Sequence, residues 1–140
     1  MVLISACLCG VNCKYSGGNN LDEECLKLLQ DGKAVLVCPE QLGGLQTPRT
    51  PAEIVGNSHG ELKVITKDNE DVTEEFIKGA EETLKIAKLV NAKKALLKEG
   101  SPSCGGNYIY DGTFTGKKIK GLGITARLLK ENGIEVISYK

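Results

Sequence analysis

Short apolar runs alternate with amphipathic stretches along the first third of this chain. Residues 2–8 and 34–37 are continuous apolar runs, which predict strands buried on both faces. Between them, residues 21–30 carry apolar side chains at helical spacing, and Gly32 follows as a stop signal. The pattern therefore predicts a strand, a helix and a second strand.

The same alternation continues to the end of the chain. It predicts strands at residues 62–66, 94–97 and 135–139 and helices at residues 72–90 and 125–132. Strands that alternate with helices indicate a mainly parallel sheet. We therefore expect an α/β fold over residues 1–140, a single-domain Rossmann-like three-layer sandwich with helices on both faces of the sheet.

Three glycine-rich stretches interrupt these elements, at residues 10–20, 39–57 and 100–123. The second is long for a structureless connection in a compact domain, which favours a functional loop. His59, the only histidine, falls in a predicted hairpin turn and is assigned no role.

Charge and hydropathy narrow the classes of partner. Lysine plus arginine and aspartate plus glutamate both number 18 in the 140 residues, and no segment is strongly basic. This argues against binding nucleic acid but allows a small anionic ligand. No apolar run is long enough to cross a membrane, and the N-terminus lacks the features of a signal peptide, so we expect a cytoplasmic protein. These patterns do not indicate an oligomeric state.

Six cysteines are unusual for a cytoplasmic chain, where disulfides are disfavoured. Cys7 closes the first predicted strand, Cys38 follows the second, and Cys104 lies in the loop after residues 94–97. Ligands of open parallel sheets bind outside the carboxyl ends of the strands. The topology therefore predicts that these three cysteines lie at one edge of the sheet.

Three thiolates from separate loops suit a soft metal or an iron–sulfur cluster, and three ligands leave a position open for catalysis. The alternative is that the cysteines are small apolar core residues, which is our interpretation of Cys25 on the apolar stripe of its helix. Cys9 and Cys13 remain open as supporting residues, redox-active thiols or a substitute ligand.

Polar residues near these cysteines are candidates for the chemistry. Glu40 is a candidate general base or acid, or else a solvated loop acid. Ser101 and Ser103 either donate hydrogen bonds to a ligand or cap a turn. Arg49 is a candidate for holding a carbonyl or phosphate, with an exposed surface arginine as the alternative.

Five motifs together carry a resemblance to a known family. They are Ser-Ala-Cys-Leu at residues 5–8, Cys-Pro-Glu-Gln-Leu-Gly-Gly at 38–44, Thr-Pro-Arg at 47–49, Ser-Pro-Ser-Cys-Gly at 101–105 and Tyr-Asp-Gly-Thr-Phe at 110–114. In this order they resemble the thiouracil desulfidase (TudS) family, and the resemblance covers essentially the whole chain.

The resemblance implies an enzyme that removes sulfur from thiouracil or 4-thiouridine-type nucleotides without net redox change and releases sulfide. It implies a 4Fe–4S cluster held by Cys7, Cys38 and Cys104, whose open iron binds the thiocarbonyl sulfur. The residue matching Glu40 would activate water, and the residue matching Ser101 would assist by hydrogen bonding.

The family comparison also leaves alternatives open. Substrate contacts are expected at Lys14 and Tyr15, where the family commonly has Arg-Tyr-Asp-Gly and this chain has Lys-Tyr-Ser-Gly. Cys7 remains to be distinguished from Cys9 as the first ligand. A non-catalytic iron–sulfur or metal carrier is the alternative function. A thiol-redox protein is a third, against which the absence of a Cys-x-x-Cys motif counts.

Overall fold

Four parallel strands form the central sheet of the computed structural model, which describes residues 1–56 and 62–140. The strand order is β2-β1-β5-β8, with bounds β1 Val2–Ser5, β2 Ala34–Val37, β5 Lys94–Lys98 and β8 Glu135–Tyr139. The prediction of a mainly parallel sheet is confirmed. His59 lies outside the described residues.

Both faces of this sheet are covered, as the continuous apolar strands predict. Leu3 and Ile4 are adjacent on β1 and both fully buried, because their side chains leave the strand on opposite faces. Leu3 packs with Ala87 and Leu129 on one face, and Ile4 packs with Cys25 on the other. The three-layer arrangement follows from this double burial.

Three longer helices form the outer layers: α1 Glu23–Gln30, α3 Thr73–Leu89 and α4 Ile124–Glu131. Each lies within two residues of its predicted bounds. The α1 helix begins where it does because the Asp22 carboxylate accepts a hydrogen bond from the Cys25 amide at 3.0 Å. No helix in the described part of the chain is both long enough and apolar enough to span a membrane.

The glycine-rich stretches contain more regular structure than the sequence predicts. A short helix, α2 (Pro39–Leu42), and strand β3 (Ala52–Gly56) fall in the second stretch. Strand β3 pairs antiparallel with β4, Leu62–Thr66. The third stretch contains the hairpin of β6 (Tyr108–Tyr110) and β7 (Lys118–Lys120). Sequence analysis assigned these segments no regular element; in the structure, pairing between strands stabilises β3, β6 and β7.

Two glycines let α2 pack directly on α3. A β-carbon on Gly79 of α3 would overlap the Pro39 carbonyl oxygen, and one on Gly43 would overlap the Glu75 carbonyl oxygen. The backbones therefore approach more closely than any side chain permits. This contact fixes the turn that carries Cys38 and Glu40.

Candidate active site

The carboxyl ends of β1, β2 and β5 meet at one edge of the sheet, where the sequence places the candidate ligands. Ser5 of β1 pairs with Val37 of β2, so the residues that follow them are neighbours. Cys38 comes directly after Val37, as predicted. Strand β1 ends earlier than predicted, at Ser5, and Cys7 lies in a 3₁₀ turn over Ala6–Cys9.

A cavity of about 600 Å³ opens at this edge. We call its buried and half-buried inner part the floor; its residues are Ser5, Cys7, Cys38, Glu40, Ser101 and Cys104. We call its part lined by basic and aromatic side chains the mouth; its residues, which are exposed or half-buried, are Lys14, Tyr15, Lys67, Tyr110 and Phe114. Cys7 and Cys104 are 8% and 6% exposed, whereas Tyr15 is 49% exposed. The structure thus brings all three candidate ligands into one cavity.

Cys104 is the most deeply enclosed of the three candidate ligands. Burial raises the pKa of its thiol to about 12, although a hydrogen bond from Ser5 opposes the rise. The Ser5 Oγ–Cys104 Sγ distance is 3.5 Å. A cation or metal at this position would favour the thiolate, which the protein alone disfavours.

Cys13 contacts both Cys7 and Cys38, the two candidate ligands other than Cys104. Its side-chain hydrogen bonds lower the pKa of both Cys7 and Cys38, and the same contacts, with Cys38 first, raise the pKa of Cys13 itself. Cys13 also lines the cavity, whereas Cys9 and Cys25 pack in the core beside Ile4. The geometry therefore favours Cys7 over Cys9 as a ligand and places Cys13 beside the ligands.

Glu40 and Arg49 form an ion pair in the wall of the cavity. The Arg49 Nε–Glu40 Oε1 distance is 3.2 Å, and the two side chains are only 9% and 19% exposed, respectively. Burial raises the pKa of Glu40, while the charge and hydrogen bond of Arg49 and a hydrogen bond from Ser101 oppose this rise. A carboxylate with a raised pKa beside a cavity suits proton transfer near neutral pH.

Arg49 uses most of its donors inside the protein. Besides Glu40, it donates to the carbonyl oxygens of Gln46 and Cys13, at 3.1 and 2.9 Å, and to Thr47 Oγ1 at 2.8 Å. The guanidinium therefore ties together the loops after β1 and α2. Arg49 also lines the cavity, so its contact with substrate stays a prediction, and the structure adds an orienting contact with Glu40.

The Glu99 carboxylate stabilises the loop that carries Ser101 and Cys104 by accepting hydrogen bonds from its backbone amides. Its Oε1 accepts hydrogen bonds from the amides of Gly106, Asn107 and Tyr108 at 2.9 to 3.2 Å. Burial alone would raise the pKa of Glu99, but these bonds outweigh it and lower the pKa to about 2. Sequence analysis missed this residue, because only the folded loop brings the amides together.

The N-terminus of α4 also holds this loop. The Ser103 carbonyl accepts hydrogen bonds from the amides of Thr125 and Ala126 at 2.9 and 3.1 Å. The Ser103 side chain is buried, and its hydroxyl pairs with Thr125 Oγ1 at 2.8 Å. Ser103 is therefore the one predicted site residue that does not line the cavity.

Ser101 faces the cavity with its acceptor positions already occupied. Its Oγ accepts hydrogen bonds from the amides of Ser103 and Cys104 at 3.0 and 3.1 Å. Its single hydroxyl proton therefore remains as a donor; it is directed at Glu40 and can turn to a ligand bound in the same cavity.

Basic and aromatic side chains from three separate segments form the mouth. Lys14 and Tyr15, both predicted, come from the loop after β1, and Lys67 follows β4. Tyr110 and Phe114 come from the β6–β7 hairpin, and sequence analysis assigned them no role. Within the described ranges, neither Lys14 nor Lys67 is ion-paired.

The spacing of the three cysteines limits what they can hold. In residues 1–56 and 62–140, no three Cys, His, Asp or Glu side chains converge closely enough to bind one metal ion. An iron–sulfur cluster instead takes each thiolate on a separate iron atom. Cysteine thiolates are the donors that hold such clusters, and the cavity floor supplies three of them.

Comparisons with known proteins agree with this geometry. The model of the family described as 2-thiouracil desulfurase matches residues 2–140. A Bacillus subtilis (strain 168) protein, described as uncharacterized protein YbbK, is 51% identical over 143 residues, covering 99% of this chain and 95% of its own. A solved structure of the [4Fe-4S]-dependent thiouracil desulfidase TudS superposes with a TM-score of 0.89 at 42% identity, covering 98% of this chain and 89% of that chain.

Proposed function

This chain belongs to the 2-thiouracil desulfurase family, and we propose that it hydrolyses the carbon–sulfur bond of thiolated pyrimidines with a 4Fe–4S cluster held by Cys7, Cys38 and Cys104. The observation that carries the proposal is the convergence of these three cysteines with Glu40 and Ser101 on one cavity floor. When bound, the cluster would supply a soft Lewis-acidic iron for the thiocarbonyl sulfur.

Glu40 is the proposed general base. Burial raises the pKa of its carboxyl group, and Arg49 keeps one oxygen in a fixed position, so the carboxylate can take a proton from water in the cavity. The Ser101 hydroxyl is the proposed donor to the substrate, since its lone pairs already accept two backbone amides. Proton acceptor and donor thus face the same space.

The proposed reaction balances without an electron donor. A carbon–oxygen bond to water forms, the carbon–sulfur bond breaks, and the two protons of water leave with sulfur as hydrogen sulfide. The ring carbon keeps its oxidation state, because sulfur and oxygen both take the bonding electrons. Glu40 would take a proton from the attacking water and pass it to the departing sulfur, so the carboxylate is regenerated.

The aromatic and basic residues of the mouth suit a nucleotide as well as a free base. Tyr15, Tyr110 and Phe114 line the cavity with aromatic rings, which suit a pyrimidine, and Lys14 and Lys67 lack carboxylate partners in the described residues. An unpaired ammonium group at the entrance of a cavity favours an anionic substituent such as a 5′-phosphate. We propose that the mouth binds such a group and that the floor acts on the base.

Anaerobic reconstitution with iron and sulfide tests this function. The loaded protein is incubated with 2-thiouracil and with 4-thiouridine 5′-phosphate, without any reductant, in water labelled with ¹⁸O. We expect sulfide release and one ¹⁸O atom in each product.

A loaded protein that releases no sulfide from either compound would contradict the enzyme and leave the carrier module as the function. Product without ¹⁸O would contradict hydrolysis. A chain that takes up no cluster under these conditions would contradict the ligand assignment.

A further inference from the structure

Two neutral side chains in the cavity direct hydrogen-bond donors at cysteine sulfur atoms. Ser5 Oγ donates to Cys104 Sγ, and Asn20 Nδ2 donates to Cys7 Sγ, both at 3.5 Å. Both residues line the cavity, yet neither belongs to the acid–base set. In each bond the acceptor is the sulfur of a candidate cluster ligand, which suggests a role beyond packing.

The Ser5 hydroxyl has one proton, and its surroundings fix where that proton points. Ser5 is 3% exposed at the end of β1, and its Oγ accepts a hydrogen bond from the Lys98 amide at 3.1 Å. The amide of β5 thus occupies a lone pair of the hydroxyl. Its proton remains for Cys104 Sγ, and the sheet itself sets the direction of the bond.

Asn20 holds Cys7 at two points. Its backbone amide donates to the Cys7 carbonyl oxygen at 2.9 Å, and its side-chain amide donates to the Cys7 sulfur. The backbone bond keeps the side chain in place, so the donor remains near the sulfur whether or not a ligand is bound. The sulfur atoms of two of the three candidate ligands, Cys7 and Cys104, therefore each accept a hydrogen bond from a side chain that the fold holds in place.

We propose that Ser5 and Asn20 are positioning residues that weaken electron donation by the Cys104 and Cys7 thiolates and so keep a bound cluster electron-poor. The inference rests on the proposed function, in which these cysteines hold the cluster. Hydrogen bonds to ligand sulfur raise the reduction potential of iron–sulfur clusters and stabilise the ligand geometry. An electron-poor iron is also the better Lewis acid for a thiocarbonyl sulfur.

A matched pair of asparagine variants tests this inference. Asn20→Asp keeps the size of the side chain but replaces the donor with a negative acceptor beside Cys7. Asn19→Asp adds the same charge one residue away, where the wild-type amide donates to Asn12 Oδ1 at 2.9 Å on the exposed surface. Ser5→Ala removes the second donor, and Ser5→Thr restores a hydroxyl.

Redox titration and cluster loss to a chelator are the readouts, and both are independent of turnover. We expect Asn20→Asp to have a more negative reduction potential than wild type and to lose its cluster about tenfold faster. Ser5→Ala should change both quantities in the same direction, whereas Ser5→Thr and Asn19→Asp should match wild type.

Unchanged potentials and loss rates in Asn20→Asp and Ser5→Ala would overturn the inference while leaving the proposed function intact. A wild-type protein that binds no cluster would instead overturn both. If the charged variant does not load, Asn20→Ala removes the donor without adding charge and serves for the same measurement.

Discussion

The floor and the mouth of the cavity differ in how completely the protein satisfies their polar groups. On the floor, the Ser5 hydroxyl, the Glu40 carboxylate and the Ser101 hydroxyl all bond to other parts of the chain. At the mouth, Lys14 and Lys67 have no ion-pair partner within the described residues. The polar groups of the floor are therefore preorganised by the protein, whereas the two lysines of the mouth are available to pair with a ligand.

This difference suggests that the floor controls the reaction and that the mouth controls which substrate binds. Side chains held by several bonds stay in one geometry, which the reacting atoms require. Lysines without ion-pair partners among the described residues and the exposed Tyr15 can adapt to different ligands, at little cost to the fold. Substitutions on the floor should thus affect every substrate, while those at the mouth should separate one substrate from another.

Removing a cysteine of the floor should have the largest effect. In Cys104→Ala, the proposed cluster loses one of three ligands, so we expect desulfuration of every substrate to fall more than about 100-fold, beyond the usual effect of an outer partner. Iron content and the visible absorption of the reconstituted protein measure the cluster directly.

Cys25→Ala is the matched control, since Cys25 is fully buried in the core and does not line the cavity. It should cost stability but keep the cluster. A full and active cluster in Cys104→Ala would remove the three-ligand model.

Neutralising Glu40 should have the next largest effect. Glu40→Gln keeps the shape of the side chain but cannot accept a proton, so we expect kcat to fall about 100- to 1,000-fold with the cluster spectrum unchanged. Glu23→Gln, in the first turn of α1 and outside the cavity, is the control for lost charge. Unchanged turnover in Glu40→Gln would exclude this residue as the base.

The topology of the floor was largely predictable from the sequence. Strands at residues 34–37, 62–66 and 135–139 have the predicted bounds, since short segments rich in β-branched and apolar residues favour strands locally. Parallel pairing then brings Cys7, Cys38 and Cys104 to one edge without further information. The order of strands and helices along the chain was sufficient to predict that these cysteines converge.

The connections that refine the floor were not predictable. The Arg49–Glu40 ion pair joins two side chains of the glycine-rich stretch through the fold of that stretch, and Asn20 reaches Cys7 across a loop. The β6–β7 hairpin was missed because each strand has only three residues. Its alternation of Lys118, Ile119 and Lys120 is a strand signal that a window of usual length does not resolve.

Removing the ion pair at the edge of the floor should shift the pH profile of every substrate. The Arg49 charge lowers the pKa of Glu40 against the rise caused by burial, so Arg49→Met should raise that pKa. Because the base acts when deprotonated, the acid limb of kcat/KM should move to higher pH by about one unit, or about 1.4 kcal/mol. At a fixed pH on the acid limb, kcat/KM should fall roughly tenfold.

Arg127, exposed on α4, is the only other arginine, and Arg127→Met is the control for this measurement. An acid limb that stays in place in Arg49→Met would mean that another group controls the profile.

The smallest effect should come from the mouth and should depend on the substrate. Lys67→Met removes a cation that has no carboxylate partner among the described residues, so we expect KM for 4-thiouridine 5′-phosphate to rise about fivefold, or about 1 kcal/mol. The KM of uncharged 2-thiouracil should not change. Lys63→Met, at an exposed position of β4 outside the cavity, controls for net charge. Equal losses for both substrates would place Lys67 with the floor, and no loss for either would mean that the mouth does not bind phosphate.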